Sequence, residues 1–252
     1  MLKEANFIIY AVITLLMTLA LVGLTTYSEE DRNAVGTAVV PEIDRNTSEE
    51  VETATFALGC FWGGEALFGA QPGIIRTRVG YAGGTSDDPT YRNIGDHTES
   101  IQVDYDPGVI TFRELVEIFW NNHDPATESY KKQYDNILFY QNEEQKVIAE
   151  SSKERLSEEL DGGIQTRVTE LKNFYLAEQY HQKYRLKQNR RFIDELREIY
   201  PDPNELTDST AAARLNGYLA GYGSSDSVEA NLGKLGLSED ARAELEERFD
   251  TN

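Results

Sequence analysis

The chain has 252 residues, with 44 acidic against 24 basic residues, a formal net charge of −20 and a pI near 4.5. This balance excludes nucleic acid and anionic lipid headgroups as the main partners, because both would be repelled. The single cysteine excludes an internal disulfide and a cysteine-based zinc site. With 40% hydrophobic residues, the chain is long enough for one substantial domain with extensions.

The amino end contains eighteen residues without a charge, 7–24, followed by an acidic stretch. As a helix this run spans roughly 27 Å, about the hydrocarbon thickness of a bilayer. The sequence predicts a membrane anchor over residues 1–27 that contacts lipid through 7–24, with a cleaved signal sequence as the alternative. Lys3 before the run and the acids after it favour a domain outside the cytoplasm, with the cytoplasmic face as the alternative. Residues 28–52 are polar and acidic, which predicts a flexible linker.

Regular hydrophobic patterns begin at residue 53. The early order of elements is strand, helix, strand, strand, helix, strand, which is the order of a split βαβ unit. It predicts an α+β fold, a ferredoxin-like two-layer sandwich with a mixed sheet, joined to the transmembrane helix and to a C-terminal helical extension. Strands are predicted at 54–58, 75–81, 100–105, 136–140 and 166–171, and helices at 111–123, 142–160 and 176–187.

The only cysteine, Cys60, lies in the glycine-bounded segment 59–64, between a predicted strand and a predicted helix. A thiol at such a turn faces the first unpaired N–H groups of the helix and the positive end of its dipole. This environment lowers the pKa of a thiol and makes it nucleophilic. Free cysteines are also often buried as small apolar side chains, so the spacing alone leaves both interpretations open.

Glu99 alternates in phase with the apolar residues of the strand 100–105, so its side chain is predicted to face the apolar side. A carboxyl group held there has a raised pKa and can act as a general acid. If the strand begins only at Ser100, Glu99 lies in a solvated loop instead. Tyr91 and Tyr134 offer phenol groups to the same place, although packing is the common role of a tyrosine. No pair of histidines has metal-ligand spacing, and no metal site is predicted.

Eight segments combine these features in one order along residues 53–188. They are 59–63, 80–84, 88–91, 97–99, 103–107, 119–125, 133–134 and 177–184. Together they resemble peptide methionine sulfoxide reductase of the A class, which reduces the S epimer. The resemblance covers about half of the chain and assigns residues 53–190 to a catalytic domain.

The resemblance implies that the chain reduces methionine-S-sulfoxide, in proteins and as the free amino acid, and so repairs oxidised proteins. Cys60 would attack the sulfoxide sulfur and become a sulfenic acid, while Glu99 would protonate the oxygen. The other implied site residues are the apolar wall for the substrate methyl group, Phe61 and Trp62, and the hydrogen-bond donors to the oxygen, Tyr91 and Tyr134.

The chain departs from the family pattern in three places. The usual resolving cysteines are missing, so an external thiol must reduce the sulfenic acid: a thioredoxin-like or glutaredoxin-like protein, or a small thiol. No bound cofactor is implied. The segment 126–132 lacks an aspartate that many members carry. Residues 191–252 lie beyond the family core and are predicted to form a helical wrap over it, with an independent binding module as the alternative.

Two other functions remain open from the sequence. Cys60 with His97 or His181 could form a cysteine hydrolase, which would need a base oriented by a third group. A membrane-tethered protein that binds oxidised methionine without efficient turnover would also explain the absence of a second cysteine.

Overall fold

In a computed structural model of the protein, residues 39–45, 48, 50–160 and 163–250 are described. These residues form a sheet and a set of helices. The strands are β1 Glu52–Leu58, β2 Ile74–Ala82, β3 Thr98–Tyr105, β4 Asn136–Tyr140, β5 Arg167–Glu170 and β6 Phe174–Leu176. The helices are α1 Glu42–Arg45, α2 Phe61–Gly69, α3 Phe112–Asn121, α4 Glu143–Glu159, α5 Tyr184–Lys187, α6 Arg190–Ile199, α7 Pro203–Asp208, α8 Thr210–Tyr218, α9 Ser225–Leu232 and α10 Glu239–Asp250. A 3₁₀ turn spans Lys132–Tyr134.

The sheet has the strand order β5-β4-β1-β3-β2-β6. β1 lies at its centre and pairs antiparallel with β3 and β4, so that Phe56 stands opposite Ile101 on one side and Leu138 on the other. β5 pairs parallel with β4, whereas β6 pairs antiparallel with β2. The sheet is therefore mixed, and both of its edges are formed by strands from the later part of the chain.

Helices cover one face of the sheet. Strand residues such as Phe56, Ile101 and Val103 are fully buried there against side chains of α2, α3 and α4. α3 begins with a capping box in which Thr111 and Glu114 bond to each other's backbone N–H groups, as the sequence predicts. The opposite face carries a smaller apolar cluster that includes Ala57, Ala82, Ile137 and Phe139.

A second hydrophobic core lies among the helices that follow β6. It is formed by buried residues of α5 to α10, and it also contains Ala70, directly after α2. α8 packs closely on α2, because a Cβ atom at Gly69 would lie 2.4 Å from the carbonyl oxygen of Ala213. The residues after 190 therefore pack onto the sheet domain through α2 and also through β2, where the Thr210 hydroxyl donates to the carbonyl oxygen of Ile75.

The prediction of a ferredoxin-like two-layer sandwich is wrong. Two edge strands, β5 and β6, extend the sheet to six strands, and the second core adds a further layer of helices behind α2. The sequence pattern missed β6 because the strand has only three residues, Phe174–Leu176, and the last of them is the first residue of the predicted helix 176–187. In the structure only Tyr184–Lys187 is helical. The residues before this helix bond to β2 instead. The side-chain amide of Gln182 accepts from the N–H of Val79 and donates to its C=O, as a neighbouring strand would.

The prediction of an N-terminal transmembrane helix depended on residues 7–24, which lie outside the described residues. Among the residues that the structure does describe, none of the helices combines the length and the apolar character needed to cross a bilayer. The described part of the chain thus gives no support for three predictions, which are corrected to that extent: the transmembrane helix, the contact with lipid through 7–24, and the membrane-anchored location of the catalytic domain outside the cytoplasm.

Candidate active site

Cys60 is the N-cap residue of α2, with extended backbone angles (φ −65°, ψ 121°). β1 ends at Leu58, and Gly59 turns the chain with a φ of 76°, a conformation that favours glycine. The cysteine is exposed, and its sulfur lies where the free N–H groups of the first helical turn point. The predicted strand-to-helix turn is therefore present.

The pKa of Cys60 is raised from its ordinary value of 9.0, which is opposite to the predicted direction. Cys60 is exposed by solvent area, yet the packed protein around it removes water that would solvate a thiolate, and this effect is the largest. The N–H groups of Trp62 and Gly63 and the charge of Arg185 lower the pKa, whereas the charge of Glu99 raises it. The helix terminus acts as predicted, but the other effects outweigh it.

Glu99 lies on β3, which begins at Thr98, and its side chain is 1% exposed. Its Oε2 accepts a 3.1 Å hydrogen bond from the backbone N–H of Phe61, and its Oε1 accepts a 2.7 Å bond from Nε2 of Gln133. Burial raises the pKa of Glu99, against the opposing effect of these two hydrogen bonds. The carboxyl group therefore lies buried next to the residue that follows Cys60.

Tyr134 belongs to the 3₁₀ turn that also carries Gln133. Burial, and then the negative charges that Glu99, Tyr91 and Cys60 can carry, raise the pKa of Tyr134 to about 12. The phenol consequently stays protonated at neutral pH and can donate a hydrogen bond. The turn is attached to β3, because Thr98 Oγ1 donates to the carbonyl oxygen of Lys132 over 2.8 Å.

Tyr91 is 40% exposed and lies on the loop between β2 and β3. Its backbone N–H donates to Oε1 of Glu178 over 3.1 Å, and Oε2 of the same carboxylate accepts a 2.8 Å hydrogen bond from the Tyr81 hydroxyl. The Tyr91 ring lies 4.7 Å from the ring of His181. Glu178 thus holds the loop that carries Tyr91 against β2.

Phe61 and Trp62 form an aromatic wall after the cysteine. Phe61 is buried, and its ring lies 5.0 Å from that of His181. Trp62 is half-buried and stacks on Tyr184, with 3.7 Å between ring centroids and 4° between the planes. The indole Nε1 of Trp62 is buried without a hydrogen-bond partner among the described residues.

An open depression of about 510 Å³ reaches the thiol. Half of its lining comes from the segment between α3 and the 3₁₀ turn, where the expected aspartate is missing from 126–132. Instead Asp124 lines the depression, and hydrogen bonds from the Ala126 amide and the Thr127 hydroxyl fix its carboxylate. The lining residues are Gly59, Cys60, Asp124, Thr127, Ser129, Tyr130, Tyr134 and Asn136.

Sequence reasoning missed the supporting residues Gln133 and Glu178, and it considered His181 only as the base of an alternative hydrolase. His181 is 1% exposed, and neither ring nitrogen has a hydrogen-bond partner in the described part of the chain, although Nε2 is 3.9 Å from a Glu178 oxygen. His97 lies within its own loop, where Nδ1 accepts from Gly84 N. Within the described ranges, no hydrogen bond joins Cys60 to a histidine, and no cluster of acidic, histidine or cysteine residues could hold a metal ion.

Comparison with known proteins shows the family to which the chain belongs. The family model described as peptide methionine sulfoxide reductase matches residues 52–210. A peptide methionine sulfoxide reductase of Drosophila melanogaster is 48% identical over 191 residues, which are 74% of this chain and 75% of that protein. This chain belongs to the peptide methionine sulfoxide reductase family. It is an oxidoreductase that reduces methionine sulfoxide to methionine, and an external thiol regenerates it.

Other members of the family agree with this assignment. Peptide methionine sulfoxide reductase A5 of Arabidopsis thaliana is 40% identical over 77% of each chain. The crystal structure of Mxr1 from Saccharomyces cerevisiae in reduced form is 34% identical with a TM-score of 0.52, and the match covers 56% of this chain and 86% of that one. A second family model, described as the helical domain of selenoprotein methionine sulfoxide reductase A, matches residues 202–245. The part of the second core that lies within residues 202–245 thus matches this helical domain.

Proposed function

We propose that Cys60 is the nucleophile and that the depression beside it binds the methionine sulfoxide side chain. The observation that carries this proposal is the position of Cys60. Its thiol is exposed at the start of α2, and the backbone N–H of the next residue, Phe61, donates to the buried carboxyl group of Glu99. The thiolate attacks the sulfoxide sulfur, and the oxygen passes to the cysteine. The sulfoxide gains two electrons and leaves as methionine, while the thiol loses two and becomes a sulfenic acid.

Glu99 is proposed as the general acid. Its raised pKa favours the protonated carboxyl, which can give its proton to the sulfoxide oxygen as negative charge develops there. A protonated Glu99 also carries no charge, so it no longer opposes ionisation of Cys60. One protonation event therefore prepares both the acid and the nucleophile.

Tyr91 and Tyr134 are proposed to donate hydrogen bonds to the sulfoxide oxygen. The proximity of the two phenols is supported by the electrostatic effect of Tyr91 on the pKa of Tyr134. Both come from segments held against the sheet, through Glu178 and Thr98 respectively. Donors fixed in advance at the place where charge develops stabilise the transition state.

Phe61 and Trp62 are proposed to bind the methyl group of the substrate. Phe61 is buried, and Trp62 offers an aromatic surface that is immobilised by its stack on Tyr184. An apolar contact on one side of the sulfur and hydrogen-bond donors on the other distinguish the methyl group from the oxygen. Such an arrangement selects one epimer, which for this proposal is the S epimer.

A thioredoxin-like or glutaredoxin-like protein, or a small thiol, is proposed to reduce the sulfenic acid. Cys60 is the only cysteine in the chain, so no internal disulfide can form. The first external thiol displaces water from the sulfenic acid and forms a mixed disulfide, and a second thiol releases Cys60. Oxidised proteins and free methionine sulfoxide are the proposed substrates. The catalytic domain is proposed to end near residue 190.

The direct test replaces Cys60 by Ser, and a peptide that carries methionine-S-sulfoxide is incubated with dithiothreitol. We expect no formation of methionine by the variant, with a urea unfolding curve like that of the wild type, because an exposed thiol contributes little to packing. The R epimer of the same peptide is the control substrate and should remain unreduced by both proteins. Full activity of Cys60→Ser would end the proposal.

A second experiment separates turnover from binding alone. Without reductant, each wild-type molecule should form one methionine and leave a sulfenic acid that dimedone traps. With dithiothreitol, many methionines should form. A protein that only binds oxidised methionine would form none, and a stall at one methionine in the presence of reductant would contradict recycling by an external thiol.

A further inference from the structure

α8 packs behind the helix that carries the cysteine. A Cβ atom at Gly217 of α8 would lie 2.6 Å from the carbonyl oxygen of Ala66, and one at Gly69 would lie 2.4 Å from that of Ala213. The two helix backbones therefore approach each other closely at these glycines, and no side chain of Gly69 or Gly217 separates them. Cys60 is at the other end of the same short helix.

Arg214 bonds to the end of α2 from within this contact. Its side chain is buried, 4% exposed, and its guanidinium donates to three backbone carbonyls: that of Gly69 over 3.0 Å, that of Ile74 over 3.2 Å and that of Gln71. The carbonyls at a helix C-terminus have no partner within the helix and carry partial negative charge. A buried cation at this position caps α2 at the end opposite the cysteine.

Asn216 holds a different part of the site from the same helix. It is fully buried, and its Oδ1 accepts a 3.1 Å hydrogen bond from the backbone N–H of Leu186, which is itself fully buried in the second core. Leu186 lies in α5 together with Tyr184, on which Trp62 stacks. α5 also carries Arg185, whose charge acts on the Cys60 thiol.

We infer that α8 positions two helices of the methionine sulfoxide site. Arg214 fixes α2, which carries the aromatic wall, and Asn216 fixes α5, which carries Tyr184. Two residues of one helix then set the distance between the thiol with its aromatic wall and the tyrosine that supports that wall. Arg214 and Asn216 are positioning residues, because neither touches the substrate. The inference rests on the proposed roles of Cys60 and Trp62, and it gives the helical domain a part in catalysis.

The test uses the full chain with Trp120 replaced by Phe, so that Trp62 is the only tryptophan. Asn216→Leu removes the acceptor for the Leu186 amide at similar volume, whereas Asn216→Asp keeps it. We expect Asn216→Leu to lower kcat/KM for a methionine-S-sulfoxide peptide by about ten- to a hundredfold, because misplacement by about 1 Å has such effects. The Trp62 fluorescence should change in the same variant as its stack on Tyr184 loosens. Asn216→Asp should stay within about twofold of the parent on the same scale.

Arg214→Met tests the position of α2. It should lower kcat by about tenfold, by the same reasoning on misplacement, and should change the rate at which iodoacetamide alkylates Cys60. The matched control is Tyr218→Phe, a change on α8 that removes hydrogen bonds to Ser227 and Asn231 and none to α2 or α5. It should leave kcat/KM and Trp62 fluorescence unchanged.

Two results would overturn the inference: folded Asn216→Leu and Arg214→Met proteins with parental kinetics and fluorescence, or an equal loss in Tyr218→Phe. If Asn216→Leu does not fold, Asn216→Ala, which loses the same acceptor, is measured in its place. Trp62 fluorescence is independent of turnover. It therefore still reports the geometry if Cys60→Ser were to retain activity and the proposed function itself were wrong.

Discussion

Replacing Glu99 by Gln is expected to lower the pKa of the Cys60 thiol. Glu99 Oε2 accepts a 3.1 Å hydrogen bond from the backbone N–H of Phe61, the residue after Cys60, so a carboxylate there lies close enough to oppose a thiolate. Glutamine has nearly the same shape and can accept the same hydrogen bond, but it never carries a charge. The substitution therefore removes the charge and keeps the packing.

The magnitude follows from Coulomb's law. Two unit charges roughly 6 Å apart repel each other by about 0.7 kcal/mol at a dielectric constant of about 80 and by about 3 kcal/mol at about 20. Cys60 is exposed, so solvent screening places the effect near the lower value, at about 1 kcal/mol. The pKa of Cys60 should therefore fall, and about 1 kcal/mol corresponds to a roughly fivefold larger thiolate fraction at a pH below that pKa.

The assay measures the rate of Cys60 alkylation by iodoacetamide as a function of pH, without substrate. The wild-type inflection is expected above 9.0, and that of Glu99→Gln at lower pH. Glu178→Gln is the control, because it neutralises a nearby carboxylate whose hydrogen bonds go to Tyr81 and Tyr91 and not to the residue next to Cys60. An unchanged inflection in Glu99→Gln, or an equal fall in Glu178→Gln, would refute the reasoning.

Three further predictions concern the same region. Glu99→Gln should slow the single-turnover reduction by about 10²- to 10⁴-fold, as expected for loss of a general acid, with little change in the urea midpoint; an unchanged rate removes this role. Gln133→Leu removes the 2.7 Å hydrogen bond that lowers the pKa of Glu99. The Glu99 inflection in the pH profile of the single-turnover rate should therefore move to higher pH, and a move to lower pH would contradict the assignment. Lys183→Met leaves the Glu65 carboxylate buried without its 2.9 Å ion pair, and urea denaturation should show a loss of about 3–5 kcal/mol; a loss below about 1 kcal/mol would mean that the charge finds another partner.

Local patterns predicted the local structure around the proposed reacting residues, Cys60 and Glu99, because each position follows from one element. The turn at Gly59 and the phase of Glu99 along β3 are both readable within a few residues, and the structure shows the turn and the buried carboxyl. The direction of the Cys60 pKa was not predictable in this way. It depends on how much water the fold removes from the thiol and on a charge that is brought close by the pairing of distant strands.

Two buried polar residues that hold the fold together were missed for a related reason. Gln182 and Lys183 read as polar positions of an exposed helix, whereas the structure buries both and uses them to bond β2 and Glu65. Their partners lie about a hundred residues away in sequence, so periodicity carries no signal for them. The six-stranded sheet escaped prediction for the same reason, since β6 is three residues long and is defined only by its pairing with β2.

The lone cysteine and the second core both act on α2: the cysteine lies at its start, and the second core packs at its end. A reductase with an internal resolving cysteine must bring another part of its chain to the sulfenic acid, which needs freedom of movement near the nucleophile. Here Cys60 is the only cysteine and opens onto a depression of about 510 Å³, so the resolving thiol arrives from outside. No movement of the chain is then needed at this step, and α2 can be held at its far end by a buried arginine and a contact between two glycine-containing backbones. Reduction by an external thiol is thus compatible with the support of α2 that we infer for α8.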